Sequence, residues 1–134
     1  MPAFHLSLPV ADLDHAADFY ARVLGCERRR TGPGWADLDF FGHQLSLHVV
    51  EDYEPDARST TIDGTAVPLR HHGVVLDPDS WASLVTRLEA ADVDFVLTPR
   101  TRFAGQAGEQ STFFVADPSG NAMEVKAFPG GVWA

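Results

Sequence analysis

One pattern occurs twice along this chain, and that repeat limits the fold more than any other feature. Residues 3–10 (AFHLSLPV) alternate, with Phe4, Leu6, Leu8 and Val10 on one side and His5, Ser7 and Pro9 on the other. The segment DLDHAADFYARVLG then sets Leu13, Ala16, Ala17, Tyr20, Val23 and Leu24 at helical spacing, with Asp12 as N-cap and Gly25 as the stop. WADLDFF (35–41), a tight Gly42-His43 turn and QLSLHVV (44–50) read as a hairpin. The order returns in the second half. LRHHGVVL (69–76) reads as a strand, and Pro78-Asp79-Ser80 opens a helix with Trp81, Leu84, Val85, Leu88 and Ala91 on one face. Val93–Leu97 reads as a strand and residues 98–110 as a Gly/Arg loop. STFFVA, the turn DPSGN (117–121) and AMEVKAF (122–128) read as a hairpin.

The chain is therefore expected to be α+β: two βαβββ modules with a period of about 66 residues. Module 1 spans about 3–50, module 2 about 69–128, and both belong to a single domain over 1–134. The acidic, Pro- and Gly-containing segment 51–68 reads as a connection or flap. One module alone leaves a sheet face uncovered. Two can close into a curved mixed sheet, a half- or full barrel, with helices outside and a cavity within.

Composition narrows the partners. There are 19 acidic and 10 basic residues, a formal charge of −9. A nucleic-acid binder needs a basic footprint, and the Arg28-Arg29-Arg30 run, read as one turn, fits a solvated surface instead. Neither nucleic acid nor an anionic membrane surface is an expected partner, and no apolar run approaches the roughly 18 residues of a membrane span. The single cysteine, Cys26, excludes an internal disulfide framework and reads as a small apolar residue; a reducing, cytoplasmic setting fits.

The unusual part of the composition is six histidines. When the two opening strands are superposed, His5 matches His71, Ser7 matches Gly73, and Leu6 matches His72. His5 and His71 then lie on the concave face and His72 under the helix. A shift of one residue would make His72 the partner of His5, but it would turn Val74 and Leu76 inward. Two strand histidines at related positions can converge on a divalent metal, and a carboxylate balances its charge. Glu124 supplies one, between the apolar Met123 and Val125. His48 shares the cavity-facing side of its strand with Gln44 and Ser46, as ligand or as acid/base. His15 reads as solvent-facing and His43 as a turn residue at the rim. Lys126, Arg102, Phe103 and Trp35 are the candidate pocket residues, with Arg102 and Glu109-Gln110 either contacting a substrate carboxylate or bracing the loop; Phe113 reads as core.

The paired modules, the helix DFYARVLG and the closing DPSGNAMEVKAF resemble the vicinal oxygen chelate superfamily. That group contains glyoxalase I, bleomycin- and fosfomycin-resistance proteins and type I extradiol dioxygenases. The resemblance covers nearly the whole chain. It implies metal-facing positions at His5, His48 (or Ser46), His71 and Glu124. Glyoxalase I-like members usually add a carboxylate on the closing strand of the first module, where this chain has Ser46 and His48. The set His5, His71 and Glu124 is instead similar to the two-His-one-Glu site of the extradiol dioxygenases. The resemblance thus implies a metal-dependent enzyme, dioxygenase-like, with Fe²⁺ favoured and Zn²⁺, Mn²⁺ or Ni²⁺ suiting a glyoxalase-like lyase or isomerase. The substrate would be a small molecule with vicinal oxygens, His48 and Glu124 the catalytic residues, and the assembly a homodimer. A drug-binding protein without turnover is the reading from a different class.

Overall fold

The computed structural model describes residues 2–133. The chain divides into two compact units, residues 1–56 with 117–121, and residues 57–116 with 122–134. The elements are β1 (His5–Val10), α1 (Leu13–Asp18) running into a π-helical turn (Phe19–Val23), β2 (Glu27–Gly32), β3 (Trp35–Phe40) and β4 (His43–Val49). There follow β5 (Ser59–Ile62), β6 (Thr65–Pro68), β7 (His72–Leu76), α2 (Pro78–Ala90), β8 (Leu97–Arg102), β9 (Gln110–Ala116) and β10 (Ala122–Ala127). Among the described residues no helix is long and apolar enough to cross a membrane.

The first unit holds a sheet in the order β1-β4-β3-β2, and the second a sheet in the order β7-β10-β9-β8. In each, the opening strand runs parallel to the closing strand and the remaining pairs are antiparallel. The α+β fold of paired βαβββ modules is thus present, and the expected repeat is a repeat of topology.

Alternation explains the first unit's core. Leu38, Phe40, Leu45 and Leu47 are buried from β3 and β4, and Ala16, Ala17 and Tyr20 from the helix. The expected N-cap holds, since Asp12 accepts a hydrogen bond from the His15 amide. The helix then widens into a π-turn, closed by a bond from the Leu24 amide to the Phe19 carbonyl. The turn 117–121 belongs to this unit. Asp117 Oδ1 accepts from the Ser119 and Asn121 amides, and Oδ2 accepts from Tyr20 Oη and Asn121 Nδ2, each at 2.9 Å. Asn121 Nδ2 also reaches the Pro9 carbonyl. Gly120 takes φ +87° against Pro55, where an L side chain would be strained and crowded. Burial, and then the Asp117 carboxylate, hold the Tyr20 hydroxyl well above its ordinary pKa.

In the second unit Leu84 and Leu88 of α2 are buried, as are Phe113, Val115, Met123 and Val125 of the sheet. The indole of Trp81 donates to the Val125 carbonyl at 3.0 Å and stacks at a tilt on Phe113. Phe113 is core, as its place in the pattern suggested.

Four expectations are corrected. Arg28-Arg29-Arg30 is not a turn but part of exposed edge strand β2, with Arg29 and Arg30 paired with carboxylates. The segment 51–68, expected as a connection or flap, has strand structure of its own, because β5 and β6 form a hairpin within it. The strand expected over Val93–Leu97 begins only at Leu97 and continues to Arg102 as β8, so Arg100 and Arg102 lie on a strand and the loop starts at Phe103. β7 starts at His72, which leaves His71 just ahead of it.

Candidate functional site

The second unit gathers the strongest cluster around Glu124, on the face of β10 opposite Met123 and Val125. Thr112 of β9 is fully buried and donates its hydroxyl to Glu124 Oε2 at 2.6 Å. Lys126 Nζ lies 3.6 Å from Glu124 Oε1 and 5.8 Å from the centre of the Phe128 ring. His71 Nε2 lies 3.4 Å from the same Oε1, and its ring meets Phe114 edge-on at 5.0 Å. The register explains the convergence. Glu124 pairs with Gly73 on one side and Phe114 on the other, and His71 has the parity of Gly73. His72 pairs with the buried Met123, on the apolar face. His71, rather than His72, therefore meets Glu124.

The tautomer of His71 follows from its other nitrogen. Nδ1 lies 2.6 Å from the Pro68 carbonyl oxygen, which can only accept, so Nδ1 carries a proton. In the neutral ring, Nε2 then presents a lone pair to a carboxylate oxygen. Two acceptors at that distance repel unless a positive charge offsets them: a proton on Nε2, the Lys126 ammonium 3.6 Å from Oε1, or a metal ion. The pair has the donor chemistry of a divalent-cation site, a neutral imidazole and a carboxylate. Among the described residues no group of three or more His, Cys, Asp or Glu side chains stands ready to hold a metal ion. The fit rests on this pair.

The first unit carries a different polar cluster. His5 is exposed, with Nε2 3.3 Å from Ser7 Oγ. His48 is exposed near the end of β4, opposite the half-buried Trp35. His43 Nδ1 accepts from the Phe4 amide at 3.0 Å. Ser46 is buried and donates to Asp37 Oδ1 at 2.6 Å, while Asp37 Oδ2 lies 3.3 Å from Gln44 Nε2 and 3.7 Å from Arg30 Nη2. Asp37 was not singled out in the sequence. The alternation of WADLDF was the available signal, since it sets Asp37 opposite Ala36 and Leu38. An acid does face the polar side of this sheet, on the strand next to the closing one. Asp37 and Asp39 help line a depression with Arg29, Arg30, His43 and Gln44. The Gly42 amide, and then Arg29, hold the Asp39 carboxyl below its ordinary pKa.

The remaining expected pocket residues are otherwise engaged. Arg102 forms an ion pair with Asp63 in the β5–β6 turn and stands 5.4 Å from the Phe103 ring centre. Phe103 is half exposed. Glu109 Oε1 accepts from the Gly105 amide at 2.7 Å and braces the loop from within.

Comparison with known proteins extends these observations. Residues 3–125 match the family model described as the Glyoxalase/Bleomycin resistance protein/Dioxygenase superfamily. The chain is similar to a glyoxalase/bleomycin resistance protein/dioxygenase from Alicyclobacillus acidocaldarius, with 33% identity and a TM-score of 0.80 over 95% of this chain and 91% of that one. It is 26% identical over 125 residues to a virulence protein of Salmonella typhimurium, covering 92% of this chain and 82% of the relative. A lactoylglutathione lyase from Agrobacterium tumefaciens shares the fold, with 21% identity and a TM-score of 0.67 over 96% of this chain and 94% of that one.

Proposed function

The chain belongs to the Glyoxalase/Bleomycin resistance protein/Dioxygenase superfamily, and we propose on that footing that it is a metal-dependent enzyme of dioxygenase type. Its substrate would be a small molecule bearing two vicinal oxygens. The observation that carries this reading is His71 Nε2 held 3.4 Å from Glu124 Oε1, with Nδ1 committed to the Pro68 carbonyl. His71 and Glu124 would hold the ion, Fe²⁺ for dioxygenase chemistry. His5 and His48 are the first unit's own candidates as ligands.

When bound, a divalent ion supplies a Lewis acid that favours the ionised form of a chelating hydroxyl. The protein's residues do the rest. The Pro68 carbonyl fixes the His71 tautomer, and the edge of Phe114 fixes the ring's angle. Thr112 holds Glu124 Oε2, leaving Oε1 to face the histidine. His48, exposed on the first unit's closing strand, is the candidate to take a proton from a substrate hydroxyl. The reading carries a homodimer in the cytoplasm; the buried, single Cys26 supports a reducing setting.

Asp37 favours a second reading, a glyoxalase-like isomerase or lyase with Zn²⁺, Ni²⁺ or Mn²⁺. That chemistry needs a carboxylate to move a proton, and Asp37 is a buried one on the polar face. Oxygen uptake across a panel of catechols, with protein purified without air and loaded with Fe²⁺, separates the readings. Uptake that disappears in Glu124→Gln is expected. No uptake, with metal still bound, contradicts the dioxygenase reading. Equally little metal in wild type and Glu124→Gln removes both and leaves a binding protein.

A further inference from the structure

Three residues stand in one row across the second unit's sheet. Lys126 of β10 is directly opposite Thr112 of β9, and Thr112 is directly opposite Arg100 of β8. Directly opposed residues share a face. Thr112 bonds Glu124, so the row lies on the Glu124 face. Strands about 4.8 Å apart put the backbones of Lys126 and Arg100 about 10 Å from each other, with the Thr112 hydroxyl between them.

Both cations are incompletely matched. Among the described residues Arg100 Nε is buried and makes no hydrogen bond, and Nη1 reaches the Thr65 hydroxyl at a long 3.4 Å. A buried guanidinium N–H without an acceptor is a standing cost. Arg102, the next cation along β8, is by contrast matched by Asp63. Lys126 meets Glu124 at 3.6 Å, beyond ordinary hydrogen-bond length, and it competes there with His71. Two cations against the single carboxylate Glu124 leave this row positive, and a divalent ion at Glu124 would make it more so. That is notable in a chain of formal charge −9, whose overall field repels anions.

We infer that Arg100 and Lys126, flanking Thr112 beside His71 and Glu124, form a subsite for a carboxylate on the substrate. The substrate class is then a small acid that carries two vicinal oxygens. Arg100 offers a planar fork suited to a carboxylate, and Lys126 a mobile point charge at its other side. The inference rests on the proposed function for the vicinal oxygens, but the carboxylate subsite itself needs no metal.

The test titrates the full-length chain by calorimetry with catechol and with 3,4-dihydroxybenzoate, with and without Mn²⁺, while electron paramagnetic resonance counts bound Mn²⁺. Wild type is expected to bind the acid at least about tenfold more tightly than catechol, and Arg100→Gln/Lys126→Gln to bring the two within about twofold. Lys126→Gln alone, at a partly exposed position, should shrink the preference at least about threefold and serves if the double variant does not fold. Arg100→Lys, which keeps the charge, should restore part of it. Equal binding of both probes by wild type overturns the subsite, and so does a preference that survives both substitutions. A preference lost in the variants of a chain that takes up no Mn²⁺ keeps the subsite and removes the metal reading. Mn²⁺ taken up with no preference for the acid removes the subsite alone.

Discussion

Gly73 stands opposite Glu124 in the β7–β10 register, and a Cβ there would collide with the Glu124 carbonyl oxygen. Gly73→Ala should destabilise the protein by about 1–3 kcal/mol, because backbone must move to admit the methyl group. A urea midpoint that falls with an unchanged slope would show it. Tyr20 carries a second prediction. Tyr20→Phe removes one donor from the buried Asp117 carboxylate and should cost about 1–3 kcal/mol at neutral pH. The folded-state pKa of Tyr20 is raised, so its neutral phenol contributes stability fully below about pH 10, and that contribution is lost as pH rises toward the folded value. Urea unfolding across the alkaline range should show a decline in wild type that Tyr20→Phe lacks in part. At this scale parity was legible: it set His71 with Glu124 and His72 with the core. Asp37 and Arg100 were not. Asp37 acquires its meaning from Ser46 on a neighbouring strand, and Arg100 from Thr112 and Lys126 on two others. Pairing across strands leaves no trace in local spacing.

Helix α2 shows what local chemistry does make legible. Asp77 caps it, accepting from the Ser80 amide and hydroxyl, and Pro78 opens it. The Ser80 hydroxyl, and then its amide, hold the Asp77 carboxyl below its ordinary pKa. A lowered folded-state value contributes stability above the unfolded pKa of about 3.9, and this is lost as pH falls through the folded value. Asp77→Ala should therefore lower Tm at neutral pH, and the gap to wild type should close in strong acid, as thermal scans followed by circular dichroism can show. Two of the elements missed, β2 and β8, lacked such signals. β2 is an exposed edge strand and has no apolar face to alternate. β8 carries Pro99 at an irregularity in its pairing with β9, and proline within a run argues against a strand unless it lies at an edge or bulge. The short hairpin β5–β6 did carry a signal, the Asp63-Gly64 turn with both residues at positive φ, set within a polar segment.

For the whole molecule, the repeat was the informative feature, because each half rebuilds the same strand order from different residues. The family membership follows that architecture, whereas the chemistry depends on how the repeat has diverged. Glu124 corresponds to Ser46, Phe114 to Asp37 and Lys126 to His48 when the registers of the two sheets are matched. The second unit thus keeps a carboxylate on its closing strand, and the first has moved its acid one strand away. The proposed divalent-cation site is the pair His71 and Glu124. Titrating the metal-free chain with Co²⁺ and following its visible absorption tests it most directly. Saturable binding by wild type is expected, retained in His72→Ala and weakened at least about tenfold in both His71→Ala and Glu124→Gln. Unchanged binding in His71→Ala, with loss in His72→Ala, would contradict it.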